Sequence, residues 1–138
     1  MNRTRLRAQL QVHEGRKPFV YQDSVGVATI GVGRNLVDRG LSEDEIDLLL
    51  DNDITAAYND AVRVVPGFNT LSEDRQHAIL DMVFNLGVSR FLKFTKFLAA
   101  IEARDFERAA REMMDSKWAR QVGKRAETLR DLVWPKSP

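Results

Sequence analysis

The sequence contains no cysteine, which excludes disulfides and every cysteine-ligated metal site. Its two histidines, His13 and His77, are too few for a structural zinc site built without cysteine. No apolar run approaches the ~20 residues that a transmembrane helix needs, so stable membrane insertion is not expected. The net charge of +1 gives no bulk electrostatic argument for nucleic acid binding.

What is present is an ordinary globular composition, with 43% hydrophobic and 30% charged residues in 138 positions, enough for one domain with a sizeable core. Arg3, Arg5 and Arg7 are not followed by an apolar segment, so no secretory signal is expected. Charge is uneven along the chain: residues 1–89 carry a net −4 and residues 90–138 a net +5. The basic part could attract an anionic polymer, or it could be a solvated mixed surface.

The patterns predict an α+β protein that is mainly helical. Asn2 or Thr4 can cap a first helix that Gly15 ends, and two strands joined by the turn "DSVG" follow. Ser42 and Glu45 form a capping box that opens a long helix ending at Pro66–Gly67. Further helices are predicted from four segments, which begin at Ser72, Thr95, Asp105 and "AETLRDLVW".

The segment "HEGRKPFVYQDSVGVATIGVG" contains the residues best suited to chemistry. Glu14 ends the first helix, Asp23 comes nine residues later beside the hairpin turn, and Thr29 lies six residues further on the return strand. A helix is negative at its C-terminal end, which favours the protonated acid at Glu14, whereas a solvated Asp23 stays ionised. Two carboxyls in unlike environments are the equipment of glycoside hydrolysis, and Thr29 could hold a water. The alternative is that both acids are ordinary surface residues.

This segment resembles the active-site region of the phage T4-type lysozyme (endolysin) family, glycoside hydrolase family 24. The resemblance continues in collinear order through "SEDEIDLLLDNDITAA", "AILDMVFNLG", "FERAAREMMDSKWARQ" and "KRAE". It implies a two-lobed fold with one small antiparallel sheet near the N-terminus and a cleft between the lobes. We expect one lysozyme domain over residues 1–138, with a sheet lobe at about 15–52. The helical lobe is expected at about 66–138 and should include the first helix.

The resemblance implies a muramidase that hydrolyses the β-1,4 bond between N-acetylmuramic acid and N-acetylglucosamine with inversion. Glu14 matches the proton donor, and Asp23 matches the second acid. Thr29 matches the threonine that positions the attacking water. Arg125 matches an arginine that pairs with the catalytic glutamate. The two carboxyls are then expected in the inverting range of roughly 6.5–9.5 Å, and no metal or organic cofactor is required.

Further positions match the family's substrate-binding wall. These are Asn35, Phe84, Asn85, Phe97 and Glu112, of which Asn35, Phe97 and Glu112 differ in residue type from the best-known member. For Phe84, plain core packing is the alternative.

Two departures from the family pattern stand out. The segment between Leu36 and Ser42 is short, which leaves the reach of the lower cleft open. Arg34 stands where the best-known member has a histidine that pairs with an aspartate aligned to Asp53. Asp53 falls on the apolar stripe of the long helix, where a carboxylate needs a partner. We therefore expect an Arg34–Asp53 ion pair, with a solvent-exposed Asp53 as the alternative.

The partners implied are peptidoglycan glycan strands for a monomeric enzyme. As a phage endolysin it would accumulate in the host cytoplasm and reach the cell wall after holin-dependent release. Two other functions remain open. A lytic transglycosylase would use the glutamate without Asp23 or Thr29, and a catalytically silent wall-binding or virion protein could share the fold.

Overall fold

The N-terminal part of the chain forms a helix and a three-stranded sheet in the computed structural model, which describes residues 1–135. Helix α1 (Arg3–Glu14) begins at Asn2, whose side chain accepts the Arg5 N–H at 3.0 Å. Gly15, with φ +79°, ends the helix by donating its N–H to the Gln11 carbonyl at 3.0 Å. Of the two caps predicted from the sequence, Asn2 is the one used.

Three antiparallel strands follow in the order β1 (Lys17–Gln22), β2 (Ala28–Gly31) and β3 (Arg34–Asn35). Thr29 of the middle strand lies opposite Tyr21 of β1 on one side and Asn35 of β3 on the other. The sequence predicted the first two strands. It missed β3, because two residues are too few to show an alternating pattern.

The long helix α2 (Glu43–Val64) starts at the predicted capping box. The Ser42 N–H donates to Glu45 Oε1 at 2.9 Å, and the Glu45 N–H donates to Ser42 Oγ at 3.3 Å. The helix stops before Pro66, as predicted. Ala57 and Ala61 of its apolar stripe are buried, but Ile46, Leu49 and Leu50 in its first half are exposed.

The rest of the described chain is helical. A 3₁₀ turn (Phe68–Thr70) precedes α3 (Glu73–Leu86), α4 (Val88–Phe91), α5 (Thr95–Glu102), α6 (Phe106–Met114), α7 (Lys117–Val122) and α8 (Lys124–Val133). Helix α3 packs on α8, α8 on α6, and α6 on α5. The predicted helices α3, α5, α6 and α8 are confirmed, whereas α4 and α7 were missed because they are too short to show a helical period.

The chain divides into two units, Met1–Leu48 and Leu49–Pro138, which we call the sheet unit and the helical unit. Helix α1, which the resemblance assigned to the helical lobe, lies in the sheet unit. The core is built entirely in the helical unit, from residues between Ala57 and Val133. No helix among residues 1–135 is long and apolar enough to span a bilayer.

Candidate active site

Glu14 is the last residue of α1, and its side chain lies close to Gly33 in the turn between β2 and β3. A Cβ atom added to Gly33 would lie 2.8 Å from Glu14 Oε2 and 2.9 Å from its Cδ. The carboxyl group therefore rests against the bare Cα of Gly33. Within residues 1–48 the Glu14 carboxylate accepts no hydrogen bond, so its oxygens are free for a ligand.

Asp23 is held in the opposite manner, by backbone hydrogen bonds. Its Oδ1 accepts the N–H groups of Val25 and Val27, both at 2.9 Å, and its own N–H donates to the Val27 carbonyl at 2.9 Å. This is an Asx turn, which explains why an aspartate suits the start of the "DSVG" turn. Both bonds fall on Oδ1, so Oδ2 is left without a donor within the sheet unit.

Thr29 lies in β2 and is the one buried residue of the sheet unit, with 4% of its surface exposed. Its hydroxyl donates to the Val27 carbonyl at 2.8 Å. Because that bond uses the hydroxyl proton, the lone pairs of Oγ1 stay free to accept a hydrogen bond from a water. The structure thus brings Glu14, Asp23 and Thr29 into one unit, and their catalytic roles remain predictions.

Arg34 pairs with Glu45 within the sheet unit, and the pairing with Asp53 of the helical unit stays a prediction. Its Nη1 lies 2.8 Å from the Glu45 carboxylate and 3.2 Å from the Gly40 carbonyl. The hydrogen bond from Arg34 is the main cause that lowers the pKa of Glu45 to about 2, and the Ser42 N–H and hydroxyl act in the same direction. The same pairing raises the pKa of Arg34. The capping box holds the Glu45 side chain at the start of α2, where Arg34 reaches it.

Asp53 of α2 is solvent-exposed. Within the described part of the helical unit its side chain has no ion-pair partner. It lines a small cavity of about 200 Å³ together with Asp60 and Phe84. An exposed carboxylate at this position can keep its hydration.

Arg125 pairs with Asp81 of α3 within the helical unit, and the pairing with Glu14 that the resemblance implies stays a prediction. Its Nε and Nη2 both lie 2.7 Å from Asp81 Oδ1. The pair joins α8 to α3 within the helical unit. Asp81 carried no signal in the sequence, because a carboxylate on an amphipathic helix is expected to be solvated.

Phe84 and Asn85 lie side by side near the end of α3. Phe84 is 46% exposed and lines a cavity of about 530 Å³ in the helical unit with Leu50, Ile54 and Arg125, so it is not a core residue. Asn85 accepts a hydrogen bond from Trp118 Nε1 at 2.8 Å through its Oδ1. Both amide N–H groups of Asn85 remain available to a ligand.

Glu112 and Phe97 line another cavity of the helical unit, of about 660 Å³. Glu112 is half-buried and faces a basic rim that includes Lys93, Lys96 and Lys117. Phe97 is only 1% exposed, and its ring packs edge-on against Phe91, 6.3 Å between centroids. The expected role of Phe97 as a substrate contact is therefore corrected to that of a core residue beneath this cavity.

Asn35 uses its side chain to form a turn. Its Oδ1 accepts the N–H groups of Val37 and Asp38, and its Nδ2 donates to Asp38 Oδ2 at 3.0 Å. This turn begins the connection from β3 to α2. Asn35 lies opposite Thr29 in the sheet, so its turn also fixes the strand next to the candidate site.

Three residues of the site environment escaped the sequence reasoning. Gly33 was part of the quoted motif, but only the fold shows what its missing side chain accommodates. Trp118 could have been suspected, since a buried indole N–H needs an acceptor. Glu45 was recognised as a cap but not as the partner of Arg34.

Comparison with known proteins identifies the family of this chain. A family model described as phage lysozyme matches residues 11–132. The chain is 27% identical over 150 residues to a protein named probable T4-type lysozyme 2 from Dictyostelium discoideum, with 88% of each chain covered. It is also 27% identical to probable T4-type lysozyme 1 from the same organism, with 93% of this chain and 92% of that protein covered.

A third relative is a phage protein. The pre-baseplate central spike protein Gp5 of Enterobacteria phage T4 is 25% identical over 90% of this chain, and the match covers 26% of that protein. The family match extends from before Glu14 to beyond Arg125 and therefore includes all the candidate site residues. The chain belongs to the phage lysozyme family.

Proposed function

We propose that this protein is a muramidase that hydrolyses the β-1,4 bond between N-acetylmuramic acid and N-acetylglucosamine in peptidoglycan, with inversion of configuration. One observation supports the proposal: two carboxylates and a threonine lie in the sheet unit and are held by different contacts. Glu14 accepts no hydrogen bond there, Asp23 accepts two from backbone N–H groups, and Thr29 donates its hydroxyl proton and keeps its lone pairs.

In this mechanism Glu14 donates a proton to the leaving glycosidic oxygen. Its location suits the task, since both of its oxygens are unencumbered within the sheet unit and the side chain is exposed to solvent. General acid catalysis of this kind contributes typically ~10²–10⁴-fold. The Gly33 contact limits the directions in which the carboxyl can point.

Water is the second reactant. Thr29 Oγ1 can accept one hydrogen bond from it, because the hydroxyl proton is engaged by the Val27 carbonyl. Asp23 Oδ2 can accept the other and take up the proton as the water attacks. Attack from the face opposite to Glu14 inverts the β-linkage, and the first product is then the α-anomer.

We extend the proposal to substrate contacts in the helical unit. Phe84 supplies an exposed aromatic face and Asn85 two free N–H donors, which are groups that sugar rings and acetamido carbonyls use. Glu112 and the lysines around it offer charges of both signs, a chemistry that matches the amino and carboxyl groups of peptide stems. Phe97 contributes only as a buried residue beneath Glu112 and these lysines.

We also propose the cellular setting of an endolysin: synthesis in the host cytoplasm, action on the cell wall as a monomer, and release that depends on a holin. Support for this setting comes from the family alone. The similarity to a baseplate spike protein favours one competing possibility, a virion-borne relative that has kept the fold, with or without its activity.

The experiment uses purified peptidoglycan and permeabilised Gram-negative cells, with the wild type and Glu14→Gln. The amide keeps the size of the side chain but cannot deliver a proton, so lysis should fall by at least ~10²-fold. Glu102→Gln is the matched control, since Glu102 is also an exposed glutamate at the last residue of a helix. It should retain wild-type lysis, and both variants should unfold at or near the wild-type temperature.

Product analysis separates the candidate functions. Hydrolysis creates free reducing ends, whereas a lytic transglycosylase leaves 1,6-anhydro ends. A silent wall-binding or virion protein would bind walls without creating either. An NMR spectrum recorded early in the reaction should show the α-anomer, and the β-anomer as first product would contradict inversion.

A further inference from the structure

Gly33 differs from the other turn glycines of the sheet unit in what lies beside it. Its φ is +67°, and a Cβ atom built on it would lie 2.8 Å from Oε2, 2.9 Å from Cδ and 3.1 Å from Cγ of Glu14. Real Cβ atoms essentially never come closer than 3.0 Å to another heavy atom. The whole end of the Glu14 side chain thus occupies the space that any other residue at position 33 would fill.

Gly31 and Gly26 provide the comparison. Their φ values are +70° and +84°, so they have the same conformational reason to be glycine. A Cβ atom added at either position would meet nothing within 4 Å. The contact with Glu14 is therefore a separate constraint, and it acts at position 33 alone among these three.

We propose that Gly33 is a positioning residue: its missing side chain forms the seat that fixes the Glu14 carboxyl for proton transfer. This inference rests on the proposed function. Glu14 has no hydrogen-bond partner within the sheet unit, whereas Asp23 has two, so steric contact is what restricts the rotamer of Glu14 there. Displacing a catalytic group by about 1 Å can lower turnover ~10²-fold, which makes such a seat consequential.

The test compares Gly33→Ala with Gly31→Ala on soluble glycan strands. Both variants force an alanine into a positive φ, so both should lose a similar few degrees of melting temperature. The added methyl group at position 33 meets the flexible end of a side chain, and the chain can fold by moving Glu14 aside. We expect kcat to fall at least ~10-fold in Gly33→Ala with KM nearly unchanged, and Gly31→Ala to keep most of its turnover.

A structural readout keeps this inference distinct from the proposed function. The ¹³Cδ resonance of Glu14 should shift in Gly33→Ala and stay in place in Gly31→Ala, whether or not the protein has muramidase activity. An inactive wild type would refute the proposed function. Equal loss of turnover in the two variants, or an unmoved Glu14 resonance in Gly33→Ala, would refute the positioning role of Gly33. The proposed muramidase activity would be unaffected by that result.

The double variant Glu14→Ala/Gly33→Ala covers the case in which Gly33→Ala fails to fold. Removing the Glu14 side chain empties the seat, so the double variant should fold. Its melting temperature should be close to that of Glu14→Ala/Gly31→Ala. If it also fails to fold, the contact with Glu14 is not the constraint at position 33, and the inference is wrong.

Discussion

Thr29 differs from the two candidate carboxylates in being buried, and its burial fixes the direction of its hydroxyl. The Val27 carbonyl accepts the hydroxyl proton at 2.8 Å, so Oγ1 can act toward a bound water only as an acceptor. A water held in this way points one hydrogen at Thr29 and has its own lone pair free for attack. The residue is suited to orienting a water rather than to activating it.

This assignment predicts different outcomes for two substitutions at position 29. Thr29→Ser keeps a hydroxyl within reach of the Val27 carbonyl and should retain most of the turnover. Thr29→Val keeps the shape of the side chain and loses the acceptor, so turnover should fall at least ~10-fold. The lost hydrogen bond should also lower the free energy of unfolding by about 1 kcal/mol. Rates of reducing-end release and thermal unfolding of both variants provide the measurement.

A control distinguishes water positioning from simple damage to β2. Thr55→Val removes a hydroxyl that also donates to a backbone carbonyl, Asp51, at 3.0 Å, but in an exposed turn of α2. It should leave turnover unchanged. The role would be refuted if Thr29→Val turned over substrate as fast as the wild type.

At the scale of elements, the connection from β3 to α2 is organised by one ion pair. Arg34 reaches from β3 to the Gly40 carbonyl and to Glu45 in the first turn of α2, while Glu45 also caps that helix. The Glu45 carboxylate thus binds both the strand residue Arg34 and the Ser42 N–H at the helix start, while Arg34 binds the Gly40 carbonyl of the loop.

The pKa of Glu45 makes this connection sensitive to acid. Its folded pKa is lowered to about 2, below an unfolded value of ~4.3, so the stabilisation is fully present above the unfolded pKa and is lost as pH falls toward 2. Glu45→Gln keeps an acceptor for the Ser42 N–H but removes the charge. The melting temperature of the wild type should exceed that of Glu45→Gln by a constant amount above pH 5, and the difference should shrink between about pH 4 and 2.

Arg34→Gln provides the check on the partner. Because the Arg34 hydrogen bond is the largest cause of the lowered pKa, the acid-dependent difference between glutamate and glutamine at position 45 should be much smaller in the Arg34→Gln background. No step is expected near pH 6–7, where a histidine in place of Arg34 would titrate. A difference that persists unchanged at pH 2, or that survives Arg34→Gln, would show that another interaction stabilises this connection.

These elements show which kinds of structure the sequence could predict. Local signals were read correctly where one or two residues determine the outcome: Ser72 as a cap, Gly15 as a helix end, and the Ser42–Glu45 box. For the first helix the sequence offered Asn2 or Thr4, and Asn2 is the cap. The strands β1 and β2 were also predicted, whereas β3, α4 and α7 were missed because they are too short to show a period.

The candidate site divides in the same way. Spacing and resemblance placed Glu14, Asp23 and Thr29 in one helix–hairpin segment, because all three depend on local chain geometry. The pairs Arg34–Glu45 and Arg125–Asp81 were not predicted from the sequence. They join residues 11 and 44 positions apart, so they depend on how the chain packs within each unit.

At the scale of the whole molecule, stability is concentrated in one unit. The largest fully buried side chains all lie in the helical unit, among them Phe68, Phe91, Met82 and Met113. Within the sheet unit only Thr29 is buried. The candidate catalytic residues are thus carried by the part of the chain with the least buried apolar surface, as is common for elements that contact ligands.

This distribution predicts two classes of backbone amide in native-state hydrogen exchange. Amides of α3 and α6, such as those of Met82 and Ala109, should exchange only by global unfolding, because opening them exposes the core. Amides of β2, such as that of Ile30, should exchange through a smaller opening with a lower free energy. That opening should also depend weakly on denaturant, since it exposes little buried surface.

The measurement is hydrogen exchange on the full chain in low concentrations of guanidinium chloride, read residue by residue by NMR. A substrate analogue that contacts Glu14 and Asp23 should raise the opening free energy of β2 by RT ln(1 + [L]/Kd), about 2.7 kcal/mol at a hundredfold excess over Kd. The opening free energy of the α3 amides should rise by the same amount only if the opening that exposes them also releases the ligand. If β2 and α3 show equal opening free energies and equal denaturant dependence without ligand, the two units unfold as one, and the sheet unit is not an independent low-stability element.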